Sequence, residues 1–369
     1  MQREEIQVNL GERSYPILVT SGELMGIGQF ARSRCRGTRT LVVCDGNTAA
    51  ISATVSASLN QAGFVCVTVS LAPGESSKSM ANATTLFDAL IRMAADRQTL
   101  VVAVGGGVIG DLAGFVAATY ARGVPFLQVP TSLLAQVDSS VGGKVGINHA
   151  TPDGRVVKNM IGAFHQPAGV YIDTDTLRTL PPLELRAGLA EVVKCGVILD
   201  EEFFAFLESN ADAVLALEPA ATRHVVARCC RLKADVVEAD ERETTDRRAI
   251  LNYGHTFAHA IEAISRDYRH GEAVAIGMVA ASRLAERLGR VPPAVTERQV
   301  RLLERFGLPT HARNLDPAGL LEAMQHDKKM QAGQLRFVLP RGLGKVELVS
   351  RVERSLVQDV IECMVRTGS

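Results

Sequence analysis

The strongest constraint on the fold of this chain is a change of hydrophobic period near residue 180. Before it, short apolar runs rich in β-branched residues at 39–45, 64–70, 99–104 and 125–130 alternate with helix-period segments at 49–62, 75–95 and 108–121. Short runs of this kind suit strands buried on both faces, and their alternation with helices predicts a parallel sheet covered by helices. EIQVNL and SYPILV flank Gly11-Glu12-Arg13 and predict an opening hairpin over 5–19. After the Leu180-Pro181-Pro182 break, helix-period segments follow one another at 183–199, 219–239, 255–265, 271–289, 294–306 and 352–366. One β-like pair, LRFVLP and KVELV, interrupts them around Gly342 and Gly344. The expected architecture is an α/β domain over 1–180 joined to a mostly all-α domain over 181–369.

The 369 residues carry 40 lysines and arginines against 40 aspartates and glutamates, so the net field favours neither a nucleic acid nor an anionic membrane as partner. A small-molecule function is the expectation. No stretch approaches the roughly 20 uninterrupted apolar residues of a membrane helix, and the polar start MQREEIQVNLGERS does not match a secretion signal. Seven cysteines without a CxxC pair suit a reducing, cytoplasmic compartment.

Chemistry concentrates in a few segments. VVAVGGGVIGDLAGF reads strand, triple glycine, helix, so Gly105, Gly106 and Gly107 stand where backbone amides can approach a pyrophosphate at a helix N-terminus. The same glycines also suit a tight structural turn. Asp45 and Asn47 end an earlier predicted strand, where an acid can accept from a ribose hydroxyl or simply cap a helix. QVPTSLLAQVDSSVGGKVGINH sets Thr131, Ser132, Asp138 and Lys144 among apolar residues and glycines, and buried polar groups need partners. In GLAEVVK, Glu191 and Lys194 share a helix face. His255 and His259 are four apart on another helix, with Asn252 before them and His270 opening the next. Two or three histidines plus a carboxylate, without thiolates, suggest zinc or a related divalent ion at an open site. Spacing alone makes His255 and His259 the ligand pair.

GGGVIGDLAGFVAATYARG, VPTSLLAQVDSSVGGKVGINH, KNMIGAFHQP, LRTLPPLELRAGLAEVVK, ADERET, LNYGHTFAHAIE and HGEAVAIGM, in this order, resemble the 3-dehydroquinate synthase family. The resemblance runs from about residue 39 to beyond 340. It implies a Rossmann-like NAD-binding domain joined to a helical metal-binding domain, with the active site in the cleft between them and a homodimer as the usual assembly. It implies Glu191, His255 and His270 as ligands of zinc or cobalt, leaving His259 for the substrate phosphate and proton transfer. It implies NAD contacts from Asp45, Asn47, Glu75, Lys78, Gly106, Gly107, Val108, Ile109, Gly110, Asp111, Thr131, Ser132, Lys144, Lys158, Thr176, Leu177, Arg178 and Thr179.

Substrate handling is implied for Asp138, Lys144, Lys158, Asn159, Lys194, Lys233, Arg248 and Asn252, with one of Lys328 and Lys329. Arg122 matches an arginine that reaches the neighbouring subunit's site. The implied substrate is a heptulosonate phosphate, and its carboxylate and phosphate account for so many cations. The implied reaction oxidises an alcohol with NAD+, eliminates phosphate, returns the hydride, and closes the ring by an intramolecular aldol. Alternatives of the same resemblance are other sugar phosphate cyclases, aminodehydroquinate synthase foremost, and metal- and NAD-dependent polyol dehydrogenases. The link HATPDGRVVKNM is longer than the family's, and Ala258 stands where its motif carries glycine.

Overall fold

The computed structural model describes residues 3–325 and 335–366. Along the chain run β1 (Glu4–Val8), β2 (Tyr15–Thr20), α1 (Ile27–Arg34), β3 (Arg39–Asp45), α2 (Ala49–Gln61), β4 (Val65–Leu71), α3 (Met80–Arg92), β5 (Leu100–Gly105), α4 (Gly107–Thr119) and β6 (Phe126–Pro130). They are followed by β7 (Lys144–Ala150), β8 (Val156–Phe164), β9 (Gly169–Asp173), α5 (Pro182–Leu199), α6 (Glu201–Leu215), α7 (Pro219–Ala239), α8 (His255–Ile264), α9 (His270–Arg287) and α10 (Pro293–Arg305). The last described elements are β10 (Ala312–Arg313), α11 (Pro317–Gln325), β11 (Arg336–Gly342), β12 (Lys345–Ser350), α12 (Arg354–Met364) and β13 (Val365–Arg366). No helix among the described residues is long and apolar enough to cross a membrane.

The described residues form two compact units. One lies within Met1–Leu180 and Pro219–Arg242, the other within Pro181–Glu218 and Glu243–Ser369. The chain therefore passes between units three times, where a single boundary at 180/181 was expected. Helix α7, expected in the second domain, packs in the first unit on β1 and on the turn Ala135–Ser139. Its contacts there are specific: Cys230 Sγ lies 3.2 Å from the Gln136 carbonyl, and Arg231 Nη1 donates to the Gln7 carbonyl at 2.6 Å.

In the first unit a seven-stranded sheet has the order β1-β2-β9-β6-β5-β3-β4, parallel except for the β1/β2 hairpin. Strand periodicity divides its core. Leu41, Val43, Val101 and Ala103 face α3 and α4 with Leu86, Leu90 and Leu112, whereas Val42, Cys44, Val102 and Val104 face α1 and α2 with Ile27, Val55 and Leu59. Both faces of β3 and β5 are buried, which is why their sequences show apolar runs without alternation. Chain direction across the sheet reverses at β3, which lies between β4 and β5. In such open sheets ligands bind at the carboxyl ends of the strands flanking that reversal.

In the second unit α9 is the central helix, packing against α5, α8, α10, α12 and β11. Small residues let its neighbours approach closely. A Cβ on Gly271 would stand 2.0 Å from the Ala187 carbonyl oxygen of α5, and one on Gly277 would stand 2.2 Å from the Gly254 carbonyl oxygen before α8. Gly271→Ala tests this packing. Helix propensity alone favours alanine by up to about 1 kcal/mol, whereas overlap with backbone costs roughly 1–3 kcal/mol or more. Packing wins, so the thermal midpoint should fall by about 2–4 °C per kcal/mol of net loss. An unchanged or raised midpoint would show that α5 and α9 yield freely at this contact.

Candidate functional site

The first unit brings most of the residues expected to meet NAD to one edge of its sheet, whereas Lys144 and Lys158 lie on the separate β7–β8 ribbon. Asp45 and Asn47 follow β3, Glu75 and Lys78 follow β4, and Gly106 to Asp111 form the cap and first turn of α4 after β5. Thr131 and Ser132 follow β6, and Thr176 to Thr179 lie in the short helical turn after β9. All stand at carboxyl ends of parallel strands, the edge that the strand order selects. The Thr48 hydroxyl donates to the Val104 carbonyl at 3.1 Å and ties the β3 turn to the end of β5. Backbone can come close here for a steric reason: a Cβ on Gly106 would lie 3.3 Å from Ser132 Oγ, and one on Gly107 3.1 Å from Ser139 Oγ. These two glycines form a cradle that side chains would fill. The helix-capping alternative for Asp45 is realised, since its Oδ1 accepts from the backbone amides of Asn47 at 2.9 Å and Thr48 at 3.1 Å.

Around this edge the polar residues are interlocked. The buried Lys78 ammonium binds the Asp111 carboxylate and the Asn159 side-chain oxygen. Burial raises the Asp111 carboxyl and Lys78 opposes that shift. Asn148, which sequence reasoning passed over, donates to Glu75 Oε1 at 2.7 Å and accepts from the Asn159 amide at 3.1 Å. Asn159 has φ 59°, a left-handed conformation that asparagine tolerates better than most residues. Asp138 lies in a π-helical turn, Ala135–Ser139, and its Oδ1 pairs with Lys233 Nζ of α7 at 2.7 Å. Thr176 accepts from Gln136 Nε2 at 3.1 Å.

The second unit holds an ionisable cluster built from three helices. Glu191 and Lys194 of α5, three residues apart on one face, form an ion pair in which both side chains are buried. His255 opens α8 and His270 opens α9. Their Nε2 atoms lie 3.6 and 3.7 Å from Glu191 Oε1. Ligand atoms of Glu191, His255 and His270 all fall within 4.8 Å of one another. His259 is not in this group; its ring stands edge-on to His255, with centroids 5.7 Å apart. The pair suggested by bare four-residue spacing thus gives way to a set that requires three helices.

The electrostatics fit a cation. Burial would raise the Glu191 carboxyl, yet Lys194, His270 and His255 together hold it well below the usual carboxylate range. Burial would lower His270, but the carboxylates of Glu191 and Glu262 outweigh it and push the imidazole up to about 10. Neither Glu191 oxygen has a hydrogen bond of normal geometry. Glu191 Oε1, buried and facing two imidazole nitrogens while Oε2 meets Lys194, matches the donor set of a divalent ion at an open site. Behind His255, the Tyr253 carbonyl lies 3.1 Å from Nδ1, and the Tyr253 hydroxyl is fixed by Gln299 Oε1 at 2.7 Å and the Met278 carbonyl at 3.0 Å.

Other expected substrate residues are placed separately. Arg248 is buried with Nε 3.4 Å from Glu243 Oε1, and Asn252 ends the turn Arg247–Asn252. Lys144 begins β7 and Lys158 lies on the exposed face of β8. Arg122 is exposed in the turn Tyr120–Arg122, where Ala121, Arg122 and Gly123 all have positive φ. Lys328 and Lys329 lie outside the described residues.

One unit with a doubly wound sheet and a glycine cradle at its reversal, and a second, helical unit with a carboxylate–imidazole cluster, make up the framework of the sugar phosphate cyclases. A 2-deoxy-scyllo-inosose synthase, solved with carbaglucose-6-phosphate, NAD+ and Co2+, has a TM-score of 0.86 at 27% identity over 97% of this chain and 99% of its own. A 2-epi-5-epi-valiolone synthase from Streptomyces hygroscopicus subsp. jinggangensis, with NAD+ and Zn2+ bound, has a TM-score of 0.85 at 27% identity over 96% of this chain and 98% of its own. The family models for the 3-dehydroquinate synthase N-terminal and C-terminal regions match residues 68–187 and 188–330. A 3-dehydroquinate synthase of Desulforamulus reducens is 51% identical over 360 residues, covering 96% of this chain and 99% of the relative. The chain belongs to the 3-dehydroquinate synthase family.

Proposed function

We propose that this chain converts 3-deoxy-D-arabino-heptulosonate 7-phosphate into 3-dehydroquinate and inorganic phosphate, as a carbon–oxygen lyase of the shikimate pathway. The observation that carries this reading is the convergence of Lys194, His255 and His270 on buried Glu191 in a chain half identical to a 3-dehydroquinate synthase. Glu191, His255 and His270 would hold the divalent ion, zinc or cobalt, and the glycine cradle at β5 would hold NAD. Bound there, NAD would supply reversible hydride transfer while the ion polarised neighbouring hydroxyl and carbonyl oxygens.

The chain's own residues supply the rest. Lys144, Lys158, Lys194, Lys233 and Arg248 offer cations to a substrate bearing a carboxylate and a phosphate, and a charge-assisted bond is roughly twice as strong as a neutral one. Asp138 orients the Lys233 ammonium, and Asn159 and Asn252 bring amides able to bond hydroxyls. His259, whose ring stands beside that of His255, would stay off the ion in this reading and suits moving a proton at the departing phosphate.

Because the hydride returns, NAD is not consumed. With excess substrate, divalent metal and a trace of NAD+, the reaction should run to completion, releasing one phosphate per product without net NADH absorbance. Accumulation of NADH in step with product would instead mark a polyol dehydrogenase, and product mass separates the amino-forming cyclase.

The ion set is checked by metal analysis of purified variants. Alanine at Glu191, His255 or His270 should strip the ion, whereas His259→Ala should retain it and lose turnover. An empty His259→Ala protein would restore the simple four-residue ligand pair.

The active assembly in this reading is a homodimer in which Arg122 completes the neighbour's site, supported by the exposure of Arg122 on a turn of positive φ. Mixing Arg122→Ala with Lys194→Ala chains under subunit exchange should raise activity above either parent. No recovery after verified exchange would confine Arg122 to its own subunit or remove it from catalysis.

A further inference from the structure

The two histidines facing Glu191 are held from behind by different groups. His255 Nδ1 meets a carbonyl, that of Tyr253, and the ring is packed, its side chain 12% exposed. His270 is 37% exposed, so packing fixes its ring less. What stands behind it is a carboxylate: Glu262 Oε1 lies 3.1 Å from His270 Nδ1. Glu262 is seven residues after His255, on the same face of α8, and so reaches across to the first residue of α9. An ionised carboxylate only accepts, so Nδ1 donates to Glu262, and when an ion displaces the second proton it is Nε2, on the Glu191 side, that offers the lone pair.

We propose that Glu262 is a positioning residue for the metal site: by accepting the Nδ1 proton of His270 it fixes the tautomer and the ring direction that a divalent ion requires. This rests on the reading of Glu191, His255 and His270 as ligands. Glu262 touches neither ion nor substrate; it acts through His270. Outer carboxylates of this kind make the imidazole a stronger donor, and their loss typically weakens metal binding by about 10–100-fold. A plain surface ion pair between the same groups would contribute little to stability and nothing to the ion.

The test is titration of metal-free full-length protein with Co2+ against a competing chelator, for wild type, Glu262→Gln, Glu262→Ala and His270→Ala, with the thermal midpoint of each metal-free form. Affinity should fall in the order wild type, Glu262→Gln, Glu262→Ala, with the alanine variant weaker by about 10–100-fold and metal-free midpoints close to wild type. Gln keeps an acceptor oxygen without the charge, so partial rescue separates positioning from gross folding, and Gln remains readable if the alanine variant fails to fold. Wild-type Co2+ affinity in both Glu262 variants, with binding abolished in His270→Ala, overturns the role of Glu262 while leaving the ligand set intact. Equal Co2+ binding by wild type and His270→Ala, or none by wild type, overturns the ligand set itself and the proposal with it.

Discussion

Much of the second unit is arranged around the difficulty of burying one ionised carboxylate. Glu191 is 1% exposed, and an isolated carboxylate in such a place would be neutralised or would unfold its surroundings. It stays charged because an ammonium and two imidazoles approach it, and these come from α5, α8 and α9. The three helices must therefore pass closer than ordinary side chains allow. Gly271 against Ala187 and Gly277 against Gly254 are the points where backbone meets backbone. The same crowding that satisfies Glu191 creates a donor set on which one divalent charge can replace protons.

The first unit meets a different demand. Its sheet must leave backbone amides at one edge accessible without leaving buried polar groups orphaned. The glycines after β5 give up side chains to keep space, while neighbouring turns are closed by their own polar residues: Asp45 caps, Thr48 bridges to Val104, and Asp173 accepts from Gly22 and Asp175. The Lys78–Asp111–Asn159 link then joins three segments distant in sequence. Rigid turns around an open cradle suit a ligand that must be held in one orientation.

Strands β3, β5 and β6 and most helices were legible because periodicity reports burial, whereas β4, a largely exposed edge strand, was legible only from its β-branched residues. The ribbon β7–β8 was not, since Gly142, Gly143, Gly146 and Gly162 interrupt alternation and most of β8 is exposed. Helices α1, α6 and α11 escaped too; α6 mixes acids with Phe203, Phe204 and Leu207 directly after α5, so its start is hidden. The segment expected as helix from 75 begins only at Met80, because Gly74 has φ 106° and Glu75–Ser77 form a separate turn. Local spacing pointed to His255 with His259, whereas the structure brings residues 191, 255 and 270 together as a possible donor set, a proximity only tertiary packing reveals. Glu262 carried a signal that could have been used, since 255, 259 and 262 share one helical stripe. For α7, a helix period says that one face is buried but not against which core.

That placement of α7 has a consequence for synthesis. Its buried stripe, including Val225, Val226, Cys229, Cys230 and Val237, belongs to the first unit, yet α5 and α6 precede it in the chain. On the ribosome the first unit cannot finish its core until about residue 242 has emerged. By then a portion of the second unit has been waiting in the open, without α8 and α9 to cover it. Neither unit can be excised as one uninterrupted stretch, so the nascent chain must mature as an interleaved whole rather than bead by bead.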